Sequence, residues 1–211
     1  MYDAIARYEP RDDITSTIIG LGDYIDRGPD SRGVVQRLID GIGYSTICLR
    51  GNHEQVLLDF IEEPAKNGAN WLWLGGAETL RSYLDPGQPW PLIEGDHSAL
   101  RDKLVRAIPP SHLLFFQSLP LYHIEGDYFF VHAGARAGRP LDRQSDHDLL
   151  WIRNGFADRD DPFDKVIVHG HTPVPQPYLG KFRINLDTGA YVSNRLSCLV
   201  LEGDRRSLIQ I

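Results

Sequence analysis

Gly22-Asp23-Tyr24-Ile25-Asp26-Arg27-Gly28, followed after one helix-length segment by Gly51-Asn52-His53-Glu54, decides how this chain folds. Each stretch comes directly after an apolar run, Thr17-Ile18-Ile19-Gly20-Leu21 in the first case and Thr46-Ile47-Cys48-Leu49 in the second. Strand, polar loop, helix is therefore the expected order, twice over. Two carboxylates, an amide, an imidazole and a guanidinium would then sit on loops at the carboxyl ends of two strands. In open α/β sheets that edge is where ligands bind, and loops on a rigid scaffold commonly carry the chemistry. Hard oxygen donors beside a histidine and an arginine suit divalent metals working on a phosphate. Two Gly-rich turns with solvated polar residues would be the bland alternative, and it requires both sets to arise by chance in the correct order.

Working outward, residues 16–21 read as a strand and 31–40 as a helix capped by Asp30 or Ser31. A second strand is expected over 45–49 and a helix over 52–61. Residues 62–117 change character. Trp71, Leu72, Trp73 and Leu74, then Leu80, Tyr83 and Leu84, then Leu100, Leu104 and Ile108, have helical spacing broken by Pro and Gly. This is a helical insert, its aromatic stripe expected to be core rather than ligand site. From Leu119 onwards the pattern turns β-rich, with strands at 121–124, 128–131, 165–168, 183–185, 196–201 and 207–211. Gly126-Asp127 and Glu202-Gly203-Asp204 mark hairpin turns. No linker argues for a second domain, so residues 1–211 are expected to form one.

The chain has 211 residues, of which 42% are hydrophobic, enough for a sizeable core. A net charge of −7 without any basic run argues against a nucleic-acid or membrane surface. Cys48 and Cys198 lie inside apolar runs and read as buried free thiols of a reducing cytosol, with a disulfide left open. There is no basic, cleavable leader and no apolar run near 18 residues, so a cytoplasmic protein is expected. Oligomeric state is not readable here.

Together with Val131-His132-Ala133-Gly134 and His169-Gly170-His171-Thr172, the two opening motifs make four ordered blocks. The chain thereby resembles the phosphoprotein-phosphatase branch of the calcineurin-like metallophosphoesterases, whose blocks read GDxHG, GDxVDRG, GNHE, HG/HA and GH. It is most similar to the small bacterial serine/threonine phosphatases and the diadenosine tetraphosphate hydrolases. The resemblance implies an α/β sandwich of two β-sheets flanked by helices, here with the helical insert. The first block, which in the family supplies an Asp and a His to one metal from the first strand, is missing. Residues 1–8 instead read as an amphipathic helix, with Ile5 and Tyr8 three apart and Tyr2 and Ala6 four apart. Asp96-His97 and Asp146-His147 lack the Gly-Asp-x-His-Gly form and read as decorations of helix starts. The expectation is a chain clipped ahead of Met1, begun at an internal Met, or truly lacking the first strand, with weak binding of the first metal and poor activity or folding as written.

The same resemblance implies roles. Asp23 would bridge two divalent metals, because an anionic oxygen can serve two cations about 3.5–4 Å apart. Asn52, His132 and His171 would complete the second metal, leaving it better supplied than the first. The mixed oxygen and nitrogen set suits Mn foremost, with Fe, Zn or Ni as other fits, over Ca. His53 would be the general acid, oriented by Asp26. Arg27, and Arg153 of Trp151-Ile152-Arg153, would grip phosphoryl oxygens. His169 is expected to point away and Asp187 to support the loops, while Arg50 is left out of the site, with an ion pair at the sheet edge as its structural reading. The implied reaction is direct attack of a metal-activated water on a phosphate monoester, serine/threonine phosphatase fashion. Hydrolysis of diadenosine tetraphosphate, with Trp residues of the insert stacking adenine, is the alternative; a non-catalytic phosphate- or metal-binding remnant is a third.

Overall fold

The structure is a computed structural model that describes residues 1–7, 16–41, 43–84 and 95–211. Along the chain come α1 (Tyr2–Ala6), β1 (Thr17–Gly20), α2 (Ser31–Asp40), β2 (Ser45–Cys48), α3 (Asn52–Glu62), α4 (Pro64–Trp71), a kinked segment (Leu72–Gly76) and α5 (Ala77–Tyr83). They are followed by α6 (His97–Ala107), α7 (Pro110–Ser118), β3 (Tyr122–Glu125), β4 (Tyr128–Val131), a 3-10 turn (Leu141–Arg143), α8 (Asp146–Trp151) and β5 (Val166–His169). The chain ends with β6 (Tyr178–Leu179), β7 (Arg183–Asn185), α9 (Ala190–Ser193), β8 (Ser197–Glu202) and β9 (Arg205–Gln210). These elements form two compact units.

The first unit, Met1–Leu21, Ile42–Leu49 and Leu121–Ile211, holds all the described strands. β1 and β2 pair in parallel, Thr17 with Ser45 through Gly20 with Cys48, as β-branched runs separated by a helix should. A five-stranded sheet has the order β3-β4-β5-β7-β6, its three central strands parallel and its edges antiparallel. β8 and β9 form a hairpin closed by Gly203-Asp204, with Gly203 at φ +59°. β4 shows why the larger sheet is central. Phe129 and Val131 point to one side, packing with Ile167, Leu149, Ile152 and Phe156. Phe130 points to the other, packing with Val168, Ile184 and Leu49 and with Ile19, Leu21, Ile47, Leu199 and Leu201. Both faces are thus buried, as period-two alternation of large apolar side chains requires in a sandwich. The described strands form three hydrogen-bonded sheets where two were expected, since β1–β2 and β8–β9 share this one core without pairing.

The second unit, Gly22–Gly41 and Arg50–Pro120, is helical in its described residues apart from the Gly22–Asp30 loop. Asp30 caps α2 by accepting from the Gly33 amide at 2.9 Å. Phe60 and Trp71 stack at 4.6 Å in its interior, so Trp71 is core, as its stripe suggested. Trp73, two residues on, is 77% exposed. Between α4 and α5 the helix is broken at Gly75, whose φ of +114° no other residue adopts without strain.

The sequence missed β6, whose two residues are too few for any period, and placed several strand ends one or two residues off. Helix α1 forms as expected, while Tyr8 lies outside the described residues. Asp96 caps α6 and Asp146 opens α8, as expected of both. Cys48 and Cys198 are free thiols, and no described helix is long and apolar enough to cross a membrane.

Candidate functional site

In the helical unit the Asp23 and Asn52 motifs are joined by one side chain. Glu54 is fully buried; its Oε2 accepts from the amides of Asp23 and Gly51, both at 2.9 Å, and its Oε1 from that of Tyr24 at 2.7 Å. Burial foremost, then the charge of Asp23, pushes its pKa up to about 7 against the pull of those three amides. Gly51 is obligatory. A Cβ there would lie 2.2 Å from Asp23 Oδ1 and 2.4 Å from the Asp23 nitrogen. So closely held, Asp23 has φ +59°, Asp26 +70° and Arg27 +61°, all in the left-handed region that side chains avoid.

His53, on the first turn of α3, points back at this loop. Its amide donates to Asp23 Oδ1 at 3.3 Å, its Nδ1 lies 2.7 Å from Asp26 Oδ2, and its Nε2 is 4.0 Å from Asp23 Oδ2. A carboxylate partner fixes the proton on Nδ1. Burial lowers the imidazole pKa, but the Asp26 hydrogen bond and the charges of Asp23 and Asp26 outweigh it and leave the pKa raised. Asp26 is buried in turn, Oδ1 accepting from Thr79 Oγ1 at 2.6 Å. Asn52 is buried as the first residue of α3. Arg27 donates from its amide to the Gly75 carbonyl at 3.1 Å and from Nε to that of Leu74 at 3.2 Å.

In the β-rich unit, His132 follows β4 and His171 lies two residues past β5, again with a left-handed backbone, φ +63°. His132 Nδ1 lies 2.8 Å from the Leu21 carbonyl, which can only accept, so the Nδ1 proton is fixed and Nε2 carries the lone pair. That nitrogen is 3.1 Å from His171 Nδ1. Arg153 Nε donates to His171 Nε2 at 3.0 Å and its Nη2 to the His171 carbonyl at 3.4 Å. His132, with one nitrogen tied to a carbonyl and the other facing a second imidazole, has the chemistry of a metal ligand. Asp23, an anionic oxygen donor at the mouth of a strained loop, has it too.

Residues 2–194 match the family described as calcineurin-like phosphoesterase. The chain belongs to this calcineurin-like phosphoesterase family. As such it is a phosphoester hydrolase of a family that binds divalent metals. It is 39% identical over 199 residues to serine/threonine-protein phosphatase 1 of Salmonella typhimurium, covering 90% of this chain and 80% of that one. It is 26% identical over 199 residues to the asymmetrical bis(5'-nucleosyl)-tetraphosphatase PrpE of Bacillus anthracis, covering 85% and 73%. Its fold is that of a solved structure described as a proposed diadenosine tetraphosphatase, with TM-score 0.61, 21% identity, and coverage of 92% and 80%.

Within this phosphoesterase the predicted residues fall into two groups. Asp23, Asp26, Arg27, Asn52 and His53 gather in the helical unit, and His132, Arg153 and His171 in the β-rich one. His169 turns to the Gly170 carbonyl and Arg183; burial first, and the Arg183 charge, push its pKa down to about 3, so it stays neutral. Arg50 donates to the Gln55 side chain at 3.0 Å and to the Gln117 carbonyl at 2.9 Å. Asp187 accepts from the Gly189 amide and steadies its loop. Sequence reasoning missed the parts of Glu54, Ser31, Thr79 and Gly75. Glu54 was visible inside its motif; Thr79, 53 residues from its partner, left no local signal.

Proposed function

We propose that the two groups work together as the centre of one catalytic domain that hydrolyses phosphate monoesters, on phosphorylated protein or a small ester, in the manner of a serine/threonine protein phosphatase. The observation that carries this reading is the buried His53–Asp26 pair, 2.7 Å apart on a strained loop beside Asp23. The 39% identical relative named for that activity supports it. The family match, which runs through both units, supports a single catalytic domain.

In this reading Asp23, Asn52, His132 and His171 hold two divalent ions, Mn foremost. Bound there, they would supply Lewis acidity and an activated water. The rest of the chemistry belongs to side chains of the chain. Arg27 and Arg153 grip the phosphoryl oxygens, their planar guanidinium groups matching the oxygens in pairs. With Nδ1 committed to Asp26, the proton His53 can deliver to the leaving oxygen is on Nε2. The raised pKa favours the form that carries that proton. The negative charge of −7 fits a substrate other than nucleic acid or an anionic membrane.

The second reading, hydrolysis of dinucleoside polyphosphates, draws on the 26% identical tetraphosphatase and on Trp73, an indole exposed next to the residue whose carbonyl holds Arg27. Hydrolysis of p-nitrophenyl phosphate with and without Mn²⁺, beside His53→Asn, tests the shared chemistry. Turnover should need the metal and fall on the order of a hundredfold in the variant. Undiminished turnover by His53→Asn would remove that residue from the reaction. Product analysis with diadenosine tetraphosphate against a phosphoserine peptide then separates the two substrates.

A further inference from the structure

Asp26 has two partners on opposite oxygens. Oδ2 faces His53 Nδ1, and Oδ1 accepts the hydroxyl proton of Thr79 at 2.6 Å. Thr79 lies in α5, inside the helical insert, and is completely buried. Its oxygen also accepts from the Asp26 amide at 2.9 Å and lies 3.0 Å from Ser31 Oγ. Because the one Thr79 proton goes to the carboxylate, the Ser31 hydroxyl is the donor between the two. Thr79 Oγ1 thus accepts twice and donates once, and its hydrogen-bonding capacity is complete. The Asp26 amide contacts Ser31 Oγ as well, at 3.2 Å.

A residue whose side-chain oxygen and backbone amide both meet the same hydroxyl cannot turn about χ1 or relax its left-handed φ of +70° without breaking those bonds. The next residue is gripped by the same insert. The Gly75 carbonyl takes the Arg27 amide and the Leu74 carbonyl its Nε. Gly75 passes so close that a Cβ would lie 2.7 Å from Arg27 Cγ.

We propose that Thr79 is a positioning residue of the reaction: the insert, through the buried Thr79–Ser31 hydroxyl pair, sets the orientation of Asp26 and so aims the ring of His53. The insert then acts on the rate of the chemical step and does more than cover the substrate. This rests on the reading of His53 as proton donor to the leaving group.

The test compares Thr79→Val, which keeps the shape and removes the hydroxyl, with Thr79→Ser, Ser31→Ala and His53→Asn, on p-nitrophenyl phosphate and on phenyl phosphate with Mn²⁺. A poor leaving group needs the proton more than a good one does. Thr79→Val should lower kcat on phenyl phosphate about tenfold, leave KM within a factor of about two, and affect p-nitrophenyl phosphate less. Thr79→Ser should recover most of the loss. In metal-free protein the downfield His53 Nδ1 proton resonance should broaden or move in Thr79→Val and return in Thr79→Ser. If His53→Asn sharpens the dependence on leaving group while a folded Thr79→Val behaves as wild type with an unmoved resonance, the positioning role is overturned alone. If His53→Asn leaves that dependence unchanged, the proton-donor reading has failed beneath it. Should Thr79→Val not fold, Ser31→Ala carries the same comparison, with a smaller loss expected in the same direction and an unchanged kcat overturning the proposal.

Discussion

The two groups of site residues are held by different means. In the helical unit, Asp23, Asp26 and Arg27 sit on a loop whose backbone is in the left-handed region at all three, and distant side chains keep it there: Glu54 from one helix, Ser31 from a second and Thr79 from a third. In the β-rich unit, of the two histidines only His171 has a left-handed backbone, two residues past its strand, while His132 directly follows another; their rings are fixed by the Leu21 carbonyl, by each other and by Arg153. A strained loop needs outside restraint to persist, whereas a residue at the end of a strand inherits its position from the sheet. The first group should therefore be damaged by single substitutions far away in sequence, and the second should shrug most of them off.

Three substitutions can break or sharpen that contrast. The largest effect is expected from Glu54→Ala, which strands three backbone amides and leaves a cavity under the loop; it should cost about 4 kcal/mol in urea unfolding and abolish turnover. A loss below about 1 kcal/mol would show that the loop holds itself. Gly75→Ala comes next. It places a Cβ 2.7 Å from Arg27 Cγ on a backbone at φ +114°, and should cost about 2 kcal/mol while raising KM for a phosphate ester severalfold as Arg27 shifts. An unchanged KM would detach Arg27 from substrate binding.

The smallest effect belongs to the β-rich unit. Asp148 accepts from Arg136 Nε at 3.0 Å beside the loop that follows His132, and the hydrogen bond from Arg136, with that of Ser145 and the arginine charges, holds its carboxyl below the ordinary value of 3.8 against the cost of burial. A depressed carboxyl stabilises the fold above its unfolded pKa and loses that contribution as pH falls through the folded one. Asp148→Asn should lower the melting temperature modestly at neutral pH, with the gap to wild type closing below about pH 3.8, and leave turnover near wild type. A collapse of activity would mean that the histidine group depends on its surroundings as much as the carboxylate group does.

How much of this was legible in the sequence follows the same division. His132 and His171 were legible through the resemblance of their blocks to those of the family, and the apolar runs at 128–131 and 165–168 marked the strands that precede them. Asp23, Asp26, Asn52 and His53 were legible as motifs, since Gly22, Gly28 and Gly51 punctuate them. The restraints on them were not. Thr79 is a threonine in a helix, with no period or spacing to mark it, and its meaning depends on where a chain 53 residues away comes to rest. The described residues of the insert are helical as their spacing suggested, but the left-handed glycine that interrupts them was taken for an ordinary break.

That interruption fixes a phase. The backbone turns aside at Gly75, whose φ of +114° belongs to no helix, and α5 starts anew beyond the bend. The five residues Leu72–Gly76 therefore set the angle at which every side chain of α5 leaves the helix axis. Deleting any one of them would redirect α5 and carry the Thr79 hydroxyl away from Asp26. Gly75 is held to glycine by that bend and Gly76 by the Trp71 ring, so the segment is constrained in its length and at both glycines.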